Sequence, residues 1–396
     1  MRKQLEKTNQ LINQPTLIKV LFISQWYPHR YDPMFGLFVQ KHAEAVSLYA
    51  NVAALYVHID PSLNEIEIQT TTEKGFQEIR VYYPVGKNSI SKQYNYLKAY
   101  KKGFDLLHES WGKPDIIQAT VFTRTALIAA LYKNKYGTPY TVIEHWTRYF
   151  RENTFRNSLH KYLSVWAASQ AKAVMPVTKH LQNCMEQHGM MNDNYKIINN
   201  VVDNLFFERF TKPAGKKIRI LNVTCFNDEQ KNLSGLLNVV EKLDIKRQDF
   251  EIVLVGEGID FSYIKELSHE KGLENTVVTF TGMLTGQNLV RSYQESDFTV
   301  LFSNYENIPV VISESFACGL PVISTNVGGI AEHIDKSNGL LIDAGDEIAL
   351  FKAIDYMLDH YKEYDKEQLI EMARNKYSYQ SVGNELISIY KNILEQ

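Results

Sequence analysis

The sequence predicts an α/β protein of two domains, each built around a mainly parallel sheet. Short apolar runs alternate with amphipathic helical stretches along all 396 residues. Strands separated by helices are typical of parallel βαβ units, and the chain is long enough for two domains of ordinary size. Residues 207–217, FERFTKPAGKK, are charged and contain Pro and Gly, so they mark the break between the halves.

The predicted strands are short apolar runs in both halves. In the first half they cover residues 19–24, 52–57, 79–83, 116–119, 140–143, 173–177 and 196–198. In the second half they cover residues 219–224, 252–255, 277–281, 298–302, 321–324 and 340–342. Residues 1–17 are polar and are expected to form a loose extension. We therefore predict an N-terminal domain over residues 1–206 and a C-terminal domain over residues 207–380.

The composition predicts a globular protein of the cytoplasm. Hydrophobic residues make up 44% and charged residues 22% of the chain, which is usual for globular domains. The three cysteines are scattered, without the spacing of a disulfide framework, so a reducing compartment is expected. No apolar run approaches the length of a membrane helix, and the first residues carry no hydrophobic signal core.

Residues 301–330 carry two acids around the start of a predicted helix. Glu306 follows the apolar strand 298–302, and Glu314 lies inside the next helix, which Gly319 ends. Pro309 suits the first turn of that helix, where its missing N–H costs nothing. In open α/β sheets, ligands bind at the carboxyl ends of the strands, so both acids are candidate site residues.

Two such carboxylates suit a polyhydroxylated ligand. Ionised carboxylates only accept hydrogen bonds, and vicinal hydroxyls donate them in pairs. The N–H groups at the helix start, near residues 308–310, favour an anion such as a diphosphate. Together these features describe a nucleotide-sugar site. The alternative is a pair of solvated acids near a helix start, favoured by the helix dipole.

This segment resembles the donor site of retaining glycosyltransferases of family 4, a branch of the group 1 glycosyl transferases with the GT-B fold. The shared pattern is Glu306, seven residues and Glu314, followed by Ala317-Cys318-Gly319-Leu320-Pro321-Val322-Ile323, Gly328-Gly329 and Glu332. The family often has Gly-Phe-Gly after its first Glu, where this chain has Asn307-Ile308-Pro309. The resemblance implies two Rossmann-like domains facing across a cleft, with the last helix, about residues 381–396, crossing back to the N-terminal domain.

The resemblance also implies roles for individual residues. Glu306 would hold the donor sugar and Glu314 the ribose. In the first half, Gly36 matches a loop glycine that lets the backbone approach the donor, although a plain turn glycine is the alternative. His145 matches a histidine that contacts the donor sugar. These assignments would place residues from both halves at the donor, with Asn307, Ile308, Pro309 and Val310 lining it.

The second half contains a partial phosphate clamp. Lys231 matches the family's clamp lysine, which binds the diphosphate as a point charge; an ordinary surface lysine is the alternative. The family's clamp arginine is replaced by Phe226, and the glycine after the lysine by Asn232. Either another cation substitutes, Arg148 or Arg291, or the activity is weakened. The resemblance further places Gly256, Gly282 and Met283 beside the nucleotide base.

The charge distribution suggests an acidic partner for the first half. Residues 1–206 hold 24 Lys/Arg against 16 Asp/Glu, and the rest of the chain holds 19 against 29, which together give the net charge of −2. Two stretches mix cations with aromatics: Lys92, Tyr94, Tyr96, Lys98, Tyr100, Lys101 and Lys102, and then Tyr149, Phe150, Arg151, Arg156, Lys161 and Trp166. They suit a phosphorylated lipid carrier or the anionic inner face of the cell membrane; solvated helix faces are the alternative. We place acceptor contacts at Glu144, Arg148 and Arg151. No nucleic-acid recognition motif accompanies these stretches.

We therefore expect transfer of a sugar from a nucleoside-diphosphate sugar to a hydroxyl of a glycan or lipid-linked acceptor, with retention. The chain contains no Asp-x-Asp triplet and no His/Cys spacing of a metal site, so neither a metal nor another cofactor is expected. By analogy with the family, the pathway would be the assembly of polysaccharide, capsule, lipopolysaccharide or glycolipid. The alternatives are a sugar-nucleotide 2-epimerase of the same fold and a non-catalytic nucleotide-sugar binder, which the replacement of the arginine suggests.

Overall fold

The structure, a computed structural model, describes residues 17–122, 124–152, 154–212, 215 and 217–396. The predicted loose extension lies outside these residues, apart from residue 17, and so do residues 213, 214 and 216 of the predicted break. Within the described part of the chain, the strands form two sheets. The α/β class with two mainly parallel sheets is therefore confirmed.

The first sheet has the strand order β3-β4-β2-β1-β5-β6-β7. Its strands are β1 (Lys19–Ser24), β2 (Asn51–Ile59), β3 (Glu67–Thr71), β4 (Gln77–Tyr83), β5 (Ile116–Thr120), β6 (Tyr140–Glu144) and β7 (Ala173–Pro176). Strand β1 pairs in parallel with β2 and β5, and β2 pairs in parallel with β4. The edge strand β3 runs antiparallel to β4.

The second sheet has the order β10-β9-β8-β11-β12-β13, and every pairing in it is parallel. Its strands are β8 (Ile218–Val223), β9 (Phe250–Val255), β10 (Val278–Gly282), β11 (Phe298–Leu301), β12 (Val322–Thr325) and β13 (Gly339–Ile342). The chain order reverses between β8 and β11, and such switch points are where open sheets bind ligands.

Helices connect the strands in both sheets. The helices up to the second sheet are α1 (Leu37–Ser47), α2 (Ser89–Ser110), α3 (Arg124–Tyr136), α4 (Ser158–Gln170) and α5 (Lys179–Gln187). Those that follow are α6 (Asp228–Lys231), α7 (Leu233–Lys246), α8 (Phe261–Glu270), α9 (Gly286–Gln294), α10 (Val310–Ala317), α11 (Glu347–His360), α12 (Lys366–Tyr377) and α13 (Tyr379–Leu394). None of the helices in the described ranges is both long and apolar enough to cross a bilayer.

One predicted strand is not regular in the structure, and one observed strand was not predicted. Residues 196–198 do not form a regular strand, although the N–H groups of Lys196 and Ile198 bond to carbonyls of Val174 and Pro176 at 3.0 and 3.2 Å. Strand β3 was missed because its sequence, EIQTT, is exposed over nearly its whole length. An edge strand with no buried face lacks the apolar alternation on which strand prediction rests.

The chain divides into two compact units. The first contains the described residues up to Val142 with Gln170–Ala173 and Gly383–Gln396, and the second contains Ile143–Ser169 and Val174–Val382. The return of the last helix to the first unit is confirmed. The hydroxyl of Tyr390 donates to Gln118 Oε1 at 2.8 Å, and a Cβ on Gly383 would lie 2.2 Å from the carbonyl oxygen of Ala45.

The second sheet is buried on both faces. Successive residues of a strand point to opposite faces, so Ile220 joins one core cluster and Leu221 the other. The first cluster includes Phe226, and the second includes Tyr293 and Phe316. These two cores fix the sheet, and with it the loops at the carboxyl ends of its strands.

Candidate functional site

Four neighbouring strands of the second sheet bring most of the predicted donor residues to one edge. In the order β10, β9, β8 and β11, their carboxyl ends lead to Gly282 and Met283, to Gly256, to the segment that ends at Lys231, and to Glu306. Parallel strands present their carboxyl ends at the same edge. Residues spread over 75 positions of sequence therefore share one rim of the sheet.

Glu306 and Lys231 are in direct contact. The Lys231 ammonium forms an ion pair with Glu306 Oε1, and the Ser303 hydroxyl donates to the same oxygen at 3.0 Å. Glu306 is 7% exposed. The predicted sugar-binding carboxylate and the predicted phosphate-binding cation are thus held together at the end of β11.

The loop that carries Glu306 is fastened to helix α6. The backbone N–H of Asn304 donates to the Gln230 carbonyl at 2.7 Å, and its side chain donates to the Glu229 carbonyl at 2.9 Å. The Gln230 side chain donates to the Tyr305 carbonyl at 3.4 Å. These bonds hold the segment before Lys231 against the segment before Glu306. No sequence pattern marked Asn304 or Ser303 as supporting residues.

Asn232 stands where the family pattern has a glycine, and its backbone conformation shows why either residue suits this position. Its backbone lies in the left-handed region, with φ 49° and ψ 46°, where it ends α6 and begins α7. Glycine enters that region without steric cost, and asparagine does so more readily than most other residues. The replacement therefore preserves the sharp turn that follows Lys231.

The Gly328-Gly329 pair packs against the backbone of the Glu306 loop. A Cβ on Gly328, whose φ is +58°, would lie 1.9 Å from the Glu306 carbonyl oxygen. The Gly329 N–H donates to the Asn307 carbonyl at 2.9 Å, and a Cβ there would lie 2.3 Å from the Thr178 side chain. Both positions therefore need glycine to let two loops and the Thr178 side chain meet.

Asn307 joins the Glu306 loop to the segment that follows β6. Its side-chain oxygen accepts from the Thr178 hydroxyl at 3.0 Å, and its side-chain nitrogen donates to the His145 carbonyl at 2.9 Å. Thr178 also caps helix α5 by accepting from the Leu181 N–H. Glu332 completes this cap because its carboxylate accepts from the N–H groups of residues 179 and 180, each at 2.7 Å. Thr178 is a supporting residue that the sequence did not reveal.

Glu144 shapes the backbone at His145. Its side chain is fully buried, and Oε1 accepts from the backbone N–H groups of His145 and Trp146 at 2.8 and 2.9 Å. The Tyr149 hydroxyl lies 3.4 Å from Oε2, and burial, with the Glu144 charge second, raises the pKa of Tyr149 well above its usual value. This geometry favours an orienting role for Glu144.

Helix α10 begins next to Glu306 and carries Glu314. Pro309 is its capping residue, one position before the helical first turn where the sequence placed it. Ile308 and Pro309 are half-buried, and Val310 is exposed. Glu314 Oε2 accepts from the Tyr293 hydroxyl at 2.8 Å. Burial, followed by the Glu314 charge, raises the pKa of Tyr293 well above its usual value.

Glycines allow the loops after β8 and β9 to touch. A Cβ on Gly256, whose φ is +132°, would lie 1.8 Å from the Thr224 carbonyl oxygen. The Gly256 N–H donates to the Gly282 carbonyl at 2.9 Å, so the two predicted base-side glycines are neighbours. Met283 is 56% exposed, which leaves its side chain open to a ligand.

The three residues considered around the replaced arginine lie in different surroundings. Phe226 is fully buried and packs on Phe261, with ring centroids 4.8 Å apart. Arg291 pairs with Glu295 at 2.9 Å and lies in a cavity of about 260 Å³ that no predicted site residue other than Arg291 lines. The guanidinium of Arg148 stacks over Trp146 at 4.5 Å and donates to the Thr154 carbonyl. The structure thus shows neither arginine in contact with Glu306 or Lys231.

Two further predicted residues have simple local settings. Gly36, in the first unit, has φ 67°, and a Cβ there would lie 2.3 Å from the backbone carbon of Trp26. This close approach within the chain explains the glycine without a ligand. Arg151 is exposed.

No group of three or more His, Cys, Asp or Glu suited to a metal ion occurs among the residues with a described placement.

A family model matches much of the second half of the chain. Residues 205–376 match the family described as glycosyl transferases group 1. The matched segment contains Lys231, Glu306 and Glu314, as well as the loops of the second sheet that surround them. The likeness to group 1 glycosyl transferases thus lies in the second half and covers less than half of the chain.

Relatives extend the likeness over more of the chain. A glycosyltransferase of Methanocaldococcus jannaschii is 28% identical over 169 residues, which cover 42% of this chain and 43% of that protein. This chain thus matches less than half the length of that relative. A 41.2 kDa protein in the cps region of Klebsiella pneumoniae is 25% identical over 299 residues, covering 73% of this chain and 79% of its own.

A solved structure shares the fold over most of this chain. The Anabaena protein Alr3699/HepE, solved in complex with UDP, superposes with a TM-score of 0.71 at 16% identity. The superposition covers 95% of this chain and 100% of that one. The predicted GT-B fold is therefore confirmed.

Proposed function

We propose that the protein is a retaining glycosyltransferase that moves a sugar from a nucleoside-diphosphate sugar to a hydroxyl of a glycan or lipid-linked acceptor. The observation that carries this proposal is the contact between Glu306 and Lys231 at the sheet's switch point. UDP in the complex of the Anabaena protein supports a nucleotide donor.

In this proposal the Glu306 carboxylate accepts hydrogen bonds from the hydroxyls of the donor sugar. Lys231 then lies where the leaving diphosphate gains negative charge, and stabilising that charge is the main catalytic contribution. The backbone N–H groups of Ile308 and Val310, at the start of α10, also favour the negative charge of the phosphates. Helix and lysine would thus serve without a metal ion.

The nucleoside would lie along the same edge of the sheet. Tyr293 fixes the orientation of the Glu314 carboxylate, which would accept from the two ribose hydroxyls. Gly256, Gly282 and the exposed Met283 would line the base. His145, whose backbone is held by Glu144 and Asn307, would contact the donor sugar. Gly36 remains a proposed donor contact from the first half. Arg148 and Arg151 remain proposed acceptor contacts.

We place the reaction in the assembly of cell-surface polysaccharide or glycolipid at the inner face of the cell membrane. The relative in the cps region of Klebsiella pneumoniae supports a polysaccharide pathway. The excess of basic residues in residues 1–206 supports an anionic acceptor or surface.

The test of the site is a thermal-shift titration with UDP, GDP, ADP and their sugars. One nucleotide class should raise the melting temperature of the wild type and should do so much less in Glu314→Gln. Glu266→Gln, an exposed acid on α8, is the matched control and should respond like the wild type. Failure of every nucleotide to stabilise the wild type would contradict the proposal.

The test of the reaction is turnover of the donor that binds. Glu306→Ala should bind nucleotide and remain folded, with turnover reduced about 10²–10³-fold, as for loss of one group that stabilises transition-state charge. Retention predicts that the anomeric carbon has the same configuration in the product as in the donor. NMR of the product reports this configuration.

A non-catalytic nucleotide-sugar binder is the second candidate, because Phe226 is buried where the family has a cationic clamp. In that case the donor would stabilise the protein in the same Glu314-dependent way. Its hydrolysis and its transfer to any acceptor would stay at the uncatalysed rate, and Glu306→Ala would change neither.

A further inference from the structure

Helix α2 carries a stripe of apolar side chains that is exposed to solvent. Its start is fixed by reciprocal bonds between Asn88 and Ser91, at 2.8 and 2.9 Å. Ile90, Tyr94 and Leu97 are 83%, 62% and 49% exposed. Residues spaced by four and three positions lie on one face of a helix, so these three side chains form one continuous stripe.

The opposite face of α2 already makes the contacts that hold the helix in the first unit. Tyr96, Ala99, Tyr100, Gly103 and Leu107 are buried. A Cβ on Gly103 would lie 2.5 Å from a methyl group of Leu55, which shows how closely the helix approaches β2. Tyr96 and Tyr100, counted from the sequence among the residues of a basic aromatic surface, therefore belong to the core, and the exposed stripe is a separate feature.

The segment that carries the exposed stripe contains several lysines and no acid. Residues 85–104 contain Lys87, Lys92, Lys98, Lys101 and Lys102 and no acid. Of these five, Lys101 pairs with Asp105 at 2.6 Å, and within the described residues it is the one in an ion pair. The Lys98 ammonium lies 5.9 Å from the Tyr94 ring. Exposed Val85 extends the apolar surface at the helix start.

We propose that this face of α2, defined by Ile90, Tyr94 and Leu97 and by Lys98, Lys101 and Lys102 beside them, docks on an anionic lipid surface. A helix with apolar side chains on one exposed stripe and lysines beside it lies in the plane of a membrane interface. The lysines complement anionic headgroups, and the apolar side chains enter the acyl boundary. Nucleic acid complements the lysines but not the stripe of Ile90 and Leu97.

This docking surface deepens the membrane location given in the proposed function and rests on that part of it, but its residues lie outside the proposed donor site. Its residues belong to the first unit, whereas Glu306, Lys231 and Glu314 belong to the second. Variants of α2 should therefore leave the nucleotide-induced thermal shift unchanged. Loss of membrane binding and loss of the donor site can then be told apart in one set of proteins.

The experiment is co-sedimentation of the full chain with vesicles of phosphatidylcholine alone or with about 30% phosphatidylglycerol. Wild type should bind the anionic vesicles at least about tenfold more strongly, and salt should weaken the binding because it screens the lysines. Lys98→Gln/Lys101→Gln/Lys102→Gln should reduce this binding about tenfold or more. Ile90→Ser/Leu97→Ser should reduce vesicle binding at low salt and should also reduce the binding that remains at high salt.

Matched controls remove the same side chains elsewhere. Lys336→Gln/Lys352→Gln/Lys362→Gln changes three exposed lysines of the second unit, and Ile245→Ser/Ile259→Ser changes two isoleucines that are 86% and 85% exposed. Both controls should bind vesicles like the wild type. Equal loss in controls and α2 variants, no binding by the wild type, or α2-dependent capture of a protein instead of vesicles would overturn the proposal.

Discussion

Lys231 and Glu306, 75 residues apart in sequence, form an ion pair with side chains 13% and 9% exposed. The pair joins the loop after β8 to the loop after β11. Because neither group is well solvated, each charge depends on the other for its stabilisation. The pair therefore ties the stability of this edge of the sheet to the proposed chemistry.

Breaking the pair from one side should cost stability, and removing both charges should restore part of it. We expect Lys231→Met to lower the free energy of unfolding by about 1–3 kcal/mol, since Glu306 is left without its cation. The double variant Lys231→Met/Glu306→Gln should recover some of that loss in urea unfolding, yet transfer should stay reduced about 10²-fold or more. Additive stability losses would show that the two groups do not stabilise each other.

The left-handed turn after Lys231 should tolerate glycine and reject branched side chains. Asn232→Gly should change the free energy of unfolding by less than about 1 kcal/mol, because glycine adopts φ 49° freely. Asn232→Val should lower it by about 1–2 kcal/mol or more. Chemical denaturation of both variants measures the difference, and equal stability would mean that the backbone there relaxes out of the left-handed region.

Gly328 should be required for packing as well as for its backbone conformation. Gly328→Ala and Gly345→Ala both place a side chain at positive φ, +58° and +75°, but only the former meets atoms within 4 Å. Gly345→Ala should cost about 1 kcal/mol, and Gly328→Ala about 2–4 kcal/mol, because its methyl group collides with the Glu306 carbonyl. Nucleotide-induced stabilisation should fall only in Gly328→Ala. A similar cost for both would assign the whole effect to backbone strain.

Acid should destabilise the second unit through His333. Burial lowers the pKa of His333 to about 4 in the folded protein, and its Nδ1 lies 2.7 Å from the Tyr377 hydroxyl. The unfolded state therefore binds a proton first as the pH falls. The contribution of neutral His333 to the free energy of unfolding is fully present above about pH 6.5 and is lost as the pH falls towards 4. His333→Asn should flatten the dependence of the melting temperature between pH 7 and 4.5. An unchanged slope would place the acid sensitivity in other groups.

The sequence by itself determined the elements and the loops that carry the candidate site. Apolar runs of β-branched residues located the strands of the second sheet to within two residues. Pro309 and Gly319 bounded the helix of Glu314, because their backbone preferences act locally. The same local rules failed for β3, which buries no face, and for residues 196–198, where an apolar run follows the chain without forming a regular strand.

Only the tertiary structure decided which of these residues meet. The contact of Lys231 with Glu306 and the bonds from Asn307 to Thr178 and His145 join positions 75, 129 and 162 residues apart. Such contacts depend on strand order, which no local pattern contains. Burial was decided in the same way: Phe226 and the inner face of α2 belong to cores, whereas Ile90 and Tyr94 face solvent. Local sequence sets the conformation of each segment, and the long-range packing of the segments sets the site.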